Sequence, residues 1–432
     1  MNLEASKIRK NLIILGITLS LIPFIYLLFN DEIISDSWYR IANVCGFLGA
    51  VFILWQFILG VRGFSKWFTS DYDWVIKIHT FLGINGALFV LLHPILEAIY
   101  FKEDIRFIFQ PNFSDTFNSF LTLGKFAFIL FLFVWLSSSL LRKSMQYRLW
   151  LYVHYLSYPM AFFVLIHPLK IGSIIQASAW VFNYWILICL AFVVILVIKI
   201  LDLLCLTYMR YTLAEIKNYP GDIFTLRFRP QAKNPVYIKP GQYFYIKGGI
   251  FSEAHPFSVL EFNDKTGDIT FGIKKLGKYS SHLSSAPVEE TYYIDGPFGE
   301  FTFEGQNSDP KVILAGGIGI TPFYELVARF GNKNTYLFYA NRNTASALYR
   351  DKFKKLLDKN HFDFVNEAPS DEENVFCELI STGKIKQLLK NEKLSNLKFF
   401  ICGSPIFTKT MISCLIELGV NKKSIFIEEF EY

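Results

Sequence analysis

Four of the seven histidines in this 432-residue chain fall inside two long apolar stretches: His79 and His93 within residues 74–100, His154 and His167 within 149–169. An ionisable side chain is costly inside a bilayer and is kept there for function. Imidazole is a suitable axial ligand for haem iron, and two imidazoles per iron give a six-coordinate, low-spin centre suited to one-electron transfer. Two matched pairs on two parallel helices are therefore expected to hold two b-type haems, and interhelical hydrogen bonding is the competing use of the same residues.

The spacing sets the geometry. Fourteen residues separate His79 from His93 and thirteen separate His154 from His167, which at ~1.5 Å per residue puts ~20 Å between the members of each pair. That is room for one porphyrin above another. At ~100° per residue, fourteen residues return the side chain to within ~40° of its starting direction, whereas thirteen miss by ~140°. Pro159 lies between His154 and His167, so a proline kink or local rewinding is expected to correct the mismatch. A His-Pro pair at 93–94 is repeated at 167–168.

The elements that must carry these histidines are membrane spans. Six apolar segments, roughly 11–29, 41–61, 74–100, 118–141, 149–169 and 179–205, are long enough to cross a hydrocarbon core of ~30 Å. The first follows Lys7, Arg9 and Lys10 but lacks an A-x-A cleavage site, and is expected to be retained as a span. Lys7, Arg9, Lys10, Arg62, Lys66, Lys77, Arg142, Lys143 and Arg148 flank one side of these segments, against Arg40, Lys102, Arg106 and Lys170 on the other. The positive-inside rule then places both termini in the cytoplasm. The histidine-bearing spans run in the same direction, so His79 and His154 form an inner pair and His93 and His167 an outer one.

Composition agrees with a half-membrane chain. Apolar residues make up 52% of the sequence and aromatic residues 18%, and they crowd into the first half, while charges, Gly and Pro return after about residue 206. The net charge of +6 is largely the cytoplasmic loops, with no nucleic-acid footprint. Cys45, Cys189, Cys205, Cys377, Cys402 and Cys414 show no C-x-x-C spacing, which excludes a recognisable zinc site, iron–sulfur cluster or disulfide framework.

Residues 207–305 alternate short β-rich runs with Gly and Pro turns (YIKPGQYFYIKGG, GDITFGIKK), the pattern of a small antiparallel barrel. From 306 to 432 the text becomes strand, glycine turn, helix, strand (KVILAGGIGITPFYELVARF, then TYLFYANR), the pattern of a parallel α/β nucleotide domain. Gly316, Gly317, Gly319, Thr321 and Pro322 lie in the turn after the buried strand. Their place is where a dinucleotide pyrophosphate approaches the backbone at a helix start. Lys274 and Lys275 read as a solvated face.

Taken together, the six-span histidine segment, the barrel and the glycine turn resemble the NADPH oxidase and ferric reductase family over nearly the whole chain. The resemblance implies three parts: a haem-binding six-helix transmembrane bundle (1–206), an antiparallel β-barrel flavin domain (207–305) and an α/β parallel-sheet NAD(P)H domain (306–432). It implies that His255, Pro256, Phe257 and Ser258 hold the flavin ring and ribityl chain, and that Gly277, Lys278, Tyr279 and Ser280 receive the flavin diphosphate. Asp295-Gly296-Pro297-Phe298-Gly299 matches the turn that closes the flavin barrel. Cys402 and Gly403 belong beside the nicotinamide, Arg342 at the nucleotide phosphate with Arg350 as a weaker second, and Phe430 over the flavin, with Tyr432 competing for that place. In one respect the chain departs from its relatives: Met160 stands where they often carry an aromatic residue between the haems.

The implied cofactors are two haem b, FAD and NADPH, with NADH as the alternative. The implied activity is NADPH oxidation at the cytoplasmic face of the cell membrane, coupled to reduction of extracytoplasmic O2 to superoxide. A ferric-chelate reductase on the same scaffold is the first alternative, and a haem subunit of a quinone- or protein-reducing system the second. The expected partners are a small-molecule acceptor (O2 or a ferric chelate) and membrane lipid, with neither nucleic acid nor an obligate protein subunit. Arg40 is expected near a haem propionate or the acceptor.

Overall fold

The computed structural model describes residues 3–30, 34–232, 236–366 and 372–429, and the chain divides into two compact units, Glu4–Leu201 and one built chiefly from Asp202–Tyr432. Among the described residues of the first unit are six helices long and apolar enough to span a membrane: Glu4–Leu27, Ser37–Gly60, Tyr72–Tyr100, Thr116–Ser139, Tyr147–Ile171 and Ala179–Leu203. Asp36, Asp71 and Asp115 cap the second, third and fourth of these, each accepting a hydrogen bond from a first-turn backbone N–H. Such caps satisfy donors that have no partner within the helix.

The third span runs unbroken through Pro94, but the fifth does not stay a regular α-helix. Pro159 has no N–H to offer the Tyr155 carbonyl, and that carbonyl instead accepts from Tyr158 N at 3.1 Å, while Leu156 N bonds Val153 O at 3.0 Å. These are three-residue closures, so the helix is overwound between Tyr147–His154 and Ser157–Ile166. At three residues per turn, about four tightened residues recover ~80° of the ~140° mismatch between His154 and His167. The remaining ~60° is close to the ~40° in the third span and has the same sense. The expected rewinding is present, and it sits just ahead of the proline.

In the second unit, strands β1 (Met209–Tyr219), β2 (Ile223–Pro230), β3 (Tyr243–Lys247), β4 (His255–Phe262), β5 (Ile269–Lys274) and β6 (Thr291–Phe298) close an antiparallel barrel in the order β1-β2-β5-β4-β3-β6. Phe224, Phe228, Phe244, Phe271 and Phe298 are fully buried, each worth about 1.5–3 kcal/mol of burial. The parallel sheet follows: β7 (Lys311–Gly316), β8 (Thr335–Asn341), β9 (His361–Val365), β10 (Val375–Phe376), β11 (Lys398–Gly403) and β12 (Ile425–Glu429), in the order β10-β9-β8-β7-β11-β12. The apolar run of β7 lies at the centre, covered on both faces, as parallel strands require. The chain leaves β7 toward β8 on one side and returns as β11 on the other, and ligands bind at the carboxyl ends of such a reversal.

Glu325 joins the barrel to this sheet. Its carboxylate accepts the Phe262 backbone N–H at 3.1 Å and the Arg329 Nε–H at 2.7 Å; Arg329 also pairs with Asp264 at 2.9 Å and covers the Phe262 ring at 4.1 Å. Glu325→Ala leaves a buried N–H unpaired, and is expected to cost about 2–3 kcal/mol. A lowered melting temperature of the holo-protein, followed by flavin fluorescence, is the measurement.

Candidate cofactor and nucleotide sites

In the membrane unit, the inner pair His79 and His154 face each other with ring centres 6.3 Å apart and planes inclined at 53°. Two imidazole nitrogens sharing one metal at about 2.0–2.1 Å each stand about 4 Å apart, which puts their ring centres about 6 Å apart. The observed separation therefore fits one iron between them. In the outer pair, the His93 ring packs on Gly46, where a Cβ would lie 2.9 Å from Nδ1, and the His167 ring packs on Gly124, where a Cβ would lie 3.1 Å from Cδ2. Both glycines are spaces that any larger residue would close against a histidine ring.

Hydrogen bonding selects the coordinating nitrogen. His93 Nδ1 lies 2.9 Å from the Ala42 carbonyl and His167 Nδ1 lies 3.0 Å from the Phe163 carbonyl. A carbonyl only accepts, so Nδ1 carries the proton and Nε2 keeps its lone pair for a metal. His154 Nδ1 lies 3.2 Å from Ser138 Oγ, and His79 Nδ1 is buried without a hydrogen bond among the described residues. These residues fit haem ligation at both depths. Met160 is buried among Phe57, Phe131 and Ala161, whereas Phe162 is exposed and Phe163 packs on Phe126. Arg40 is buried, with Nη1 donating to the Ile34 carbonyl at 3.1 Å.

In the second unit, His255 opens β4 and its ring stacks on Tyr279 with centroids 3.8 Å apart, while Phe257 lies parallel to the same tyrosine at 6.3 Å. The Tyr279 hydroxyl donates to the Ile246 carbonyl at 3.0 Å, and burial pushes its pKa up. Pro256 is exposed and Ser258 is buried. Gly277 and Ser280 form a tight cap in which Ser280 Oγ accepts the Gly277 N–H at 3.1 Å, and a Cβ at Gly277 would meet open space. His255, Phe257 and Tyr279 thus form one aromatic surface and Gly277 an open turn, features that suit a flat ring and a diphosphate.

A cavity of about 850 Å³ lies within this unit, lined from the sheet by Gly316, Gly317, Asn341, Arg342, Ser346 and Ser404, and from the barrel by Gly221, Asp222 and Lys274. Gly317 has φ +54° and open space beside it, so backbone is presented bare to the cavity. Gly319, Thr321 and Pro322 are buried below. A Cβ on Gly319 would collide with the Cys402 carbonyl and stand 2.8 Å from Gly403 Cα, and one on Gly403 would stand 2.6 Å from the Phe407 ring. The expected helix start is first a tight 3₁₀ segment, Gly317–Phe323, with the α-helix beginning at Tyr324; Pro322 has no amide proton to donate.

Not every expected residue reaches the cavity. Cys402 is fully buried in the sheet core, and burial together with Glu428 raises its thiol pKa. It is a packed neutral thiol whose backbone seats Gly319. Arg350 is turned into the fold, pairing with Asp363 and Glu372 at 2.6 Å each. Phe430 and Tyr432 lie outside the described residues. Lys274 is exposed, as read from the sequence, and lies at the rim of the cavity with Asp222, where the barrel meets the sheet.

Three family models match side by side: "Ferric reductase like transmembrane component" at residues 45–165, "FAD-binding domain" at 208–321 and "Oxidoreductase NAD-binding domain" at 313–412. The chain is therefore a multi-pass membrane oxidoreductase that carries FAD- and NAD-binding domains. Its architecture is like that of ferric reductases and NADPH oxidases. NADH-cytochrome b5 reductase 2 of Mycosarcoma maydis is 26% identical over 223 residues, 46% of this chain and 62% of that protein. The reductase component of propane 2-monooxygenase from Rhodococcus jostii is 25% identical over 234 residues, 51% of this chain and 63% of that protein. The chain thus spans less than two thirds of the length of these relatives. The crystal structure of the flavohem-like FAD/NAD binding domain of nitric oxide dioxygenase from Vibrio cholerae covers 52% of this chain and 98% of its own, at 18% identity and a TM-score of 0.44.

Proposed function

We propose that the chain is a transmembrane NAD(P)H oxidase, taking electrons from NADPH at the cytoplasmic face and reducing O2 to superoxide on the opposite side. The observation that carries this reading is the facing pair His79 and His154, at the ring separation that a shared iron demands, in a chain that also holds its own FAD- and NAD-binding domains. When bound, FAD would turn a two-electron donor into single electrons and the two b haems would carry them across the membrane.

The chain's own residues do the rest. His79 and His154 would hold the inner iron, and His93 and His167 the outer; the carbonyl contacts of Nδ1 in His93 and His167 leave their Nε2 free for it. Because the chain offers two imidazoles for each iron, a small acceptor would be reduced without becoming an iron ligand. His255, Phe257 and Tyr279 offer the flavin its aromatic wall, and the bare backbone at Gly316 and Gly317 receives the dinucleotide pyrophosphate. The excess of Lys and Arg on the loops of one side supports a cytoplasmic position for both termini, an orientation that would send the current outward.

Arg342 at the end of β8 is the cation for a 2′-phosphate. Arg342→Ala is expected to raise the KM for NADPH about 10–100-fold, the equivalent of one charge-assisted hydrogen bond, and to leave the KM for NADH within about twofold. Steady-state kinetics with both coenzymes reads this directly.

The function as a whole is tested with purified protein supplied with FAD and NADPH. Oxygen consumption, with cytochrome c reduction abolished by superoxide dismutase, supports the oxidase. Indifference to O2 with rapid reduction of ferric citrate overturns it in favour of a ferric reductase.

A further inference from the structure

Of the four haem-site histidines, His93 and His167 turn Nδ1 to backbone carbonyls, and His79 Nδ1 is buried without a hydrogen bond among the described residues. His154 is built differently. Its Nδ1 meets Ser138 Oγ on the neighbouring span at 3.2 Å, and the same oxygen accepts the indole N–H of Trp150 at 3.2 Å. Trp150 precedes His154 by one helical turn, and the two rings stack with centroids 5.1 Å apart and planes inclined at only 28°. The Arg142 guanidinium lies 4.6 Å over the same indole.

We propose that Trp150, Ser138 and Arg142 form a positioning assembly for the inner haem ligand: Ser138 fixes the tautomer and Trp150 the ring plane of His154, and Arg142 raises the potential of the iron it holds. The inference rests on the haem reading of the four histidines.

The physical argument has three parts. An indole N–H only donates, so Ser138 Oγ accepts from Trp150 and has a lone pair left for a second donor. His154 Nδ1–H is that donor when Nε2 is committed to iron. Face-to-face stacking on Trp150 opposes rotation of the imidazole about its own axis, holding its plane at 53° to that of His79. A guanidinium over the indole is a cation–π contact, and its charge, at a half-buried site, favours the less positive ferrous state of a nearby iron. Trp150 and Ser138 act through His154, so both are positioning residues.

The test uses full-length protein in detergent or nanodiscs, with two readouts. Low-spin ferric EPR reports the angle between axial ligand planes, and a two-component redox titration reports each midpoint, the inner component being the one retained in His93→Ala. Trp150→Ala and Ser138→Ala are expected to shift the inner haem's g-values, Trp150→Phe to keep part of the stacking effect, and Ser138→Thr to restore the wild-type signal. Arg142→Gln is expected to lower the inner midpoint and leave the outer one in place.

Haem spectra, g-values and midpoints that match wild type in all of these variants overturn the inference and leave the haem reading standing. Wild-type protein without b-type bands overturns both. If Trp150→Ala fails to fold, Ser138→Ala and Arg142→Gln decide the matter, because each alters one polar group at the edge of the span.

Discussion

His93→Ala is expected to give a protein that still oxidises NADPH with a soluble dye but reduces O2 or ferric citrate more than about 100-fold more slowly. The reasoning starts from Ala42, whose carbonyl holds His93 Nδ1, and from Gly46, which leaves room for the ring. Loss of a partner that merely orients a metal ligand costs about 10–100-fold, and here the ligand itself goes. The inner pair, ~20 Å away along the helix, keeps its iron, so the haem-to-protein ratio falls from two to one. Dye reduction needs only the flavin and nucleotide domains and is expected to stay within about twofold of wild type. A pyridine haemochrome assay beside the two activities separates loss of the outer haem from general misfolding. An unchanged haem ratio would sink the assignment of His93.

Gly319→Ala should fail at the other end of the chain. The added methyl would run into the Cys402 carbonyl and the Gly403 backbone, and neither can swing aside as a flexible side chain could. The loop Gly316–Pro322 must lift off the carboxyl end of β11, which moves the bare backbone at Gly317 that faces the cavity. Overpacking of this kind costs about 1–3 kcal/mol, and a displacement of ~1 Å at a reacting site can cost about 100-fold. The expected result is a fall of about 100-fold in kcat/KM for NADPH, in dye reduction and acceptor reduction alike, with both haems in place. His93→Ala spares dye reduction and Gly319→Ala removes it, so the pair places the two sites at opposite ends of one electron path.

The six spans were legible because each is a local property of about twenty consecutive residues, and the segments read from the sequence overlap the six helices throughout. The barrel and the parallel sheet were legible for a similar reason: strand period and glycine turns are short-range signals, as in the run KVILAG that became the central strand β7. The thirteen-residue spacing of His154 and His167 pointed to a correction near Pro159. Its form, a tightened turn over residues 155–158, depends on which carbonyl the proline leaves free.

The place of Arg350 and Cys402 was not legible. Lys274 is exposed, as its sequence suggested, and it lies on the cavity rim because the barrel packs against the sheet. Arg350 has the composition of a phosphate ligand but turns toward Asp363 and Glu372, residues that follow it by thirteen and twenty-two positions. Cys402 sits beside the right glycine, yet the sheet buries its thiol completely and leaves its backbone to do the work of seating Gly319.

The sequence by itself therefore determined which residue types are available for iron, flavin and dinucleotide, and on which elements they stand, because those follow from spacing along one helix or one strand. Only the tertiary structure decided which nitrogen of His93 and His167 meets a carbonyl, that Ser138 and Trp150 contact His154, and which residues wall the cavity. Those outcomes depend on hydrogen bonds and steric contacts between segments far apart in the chain, and such contacts leave no period for a sequence to display.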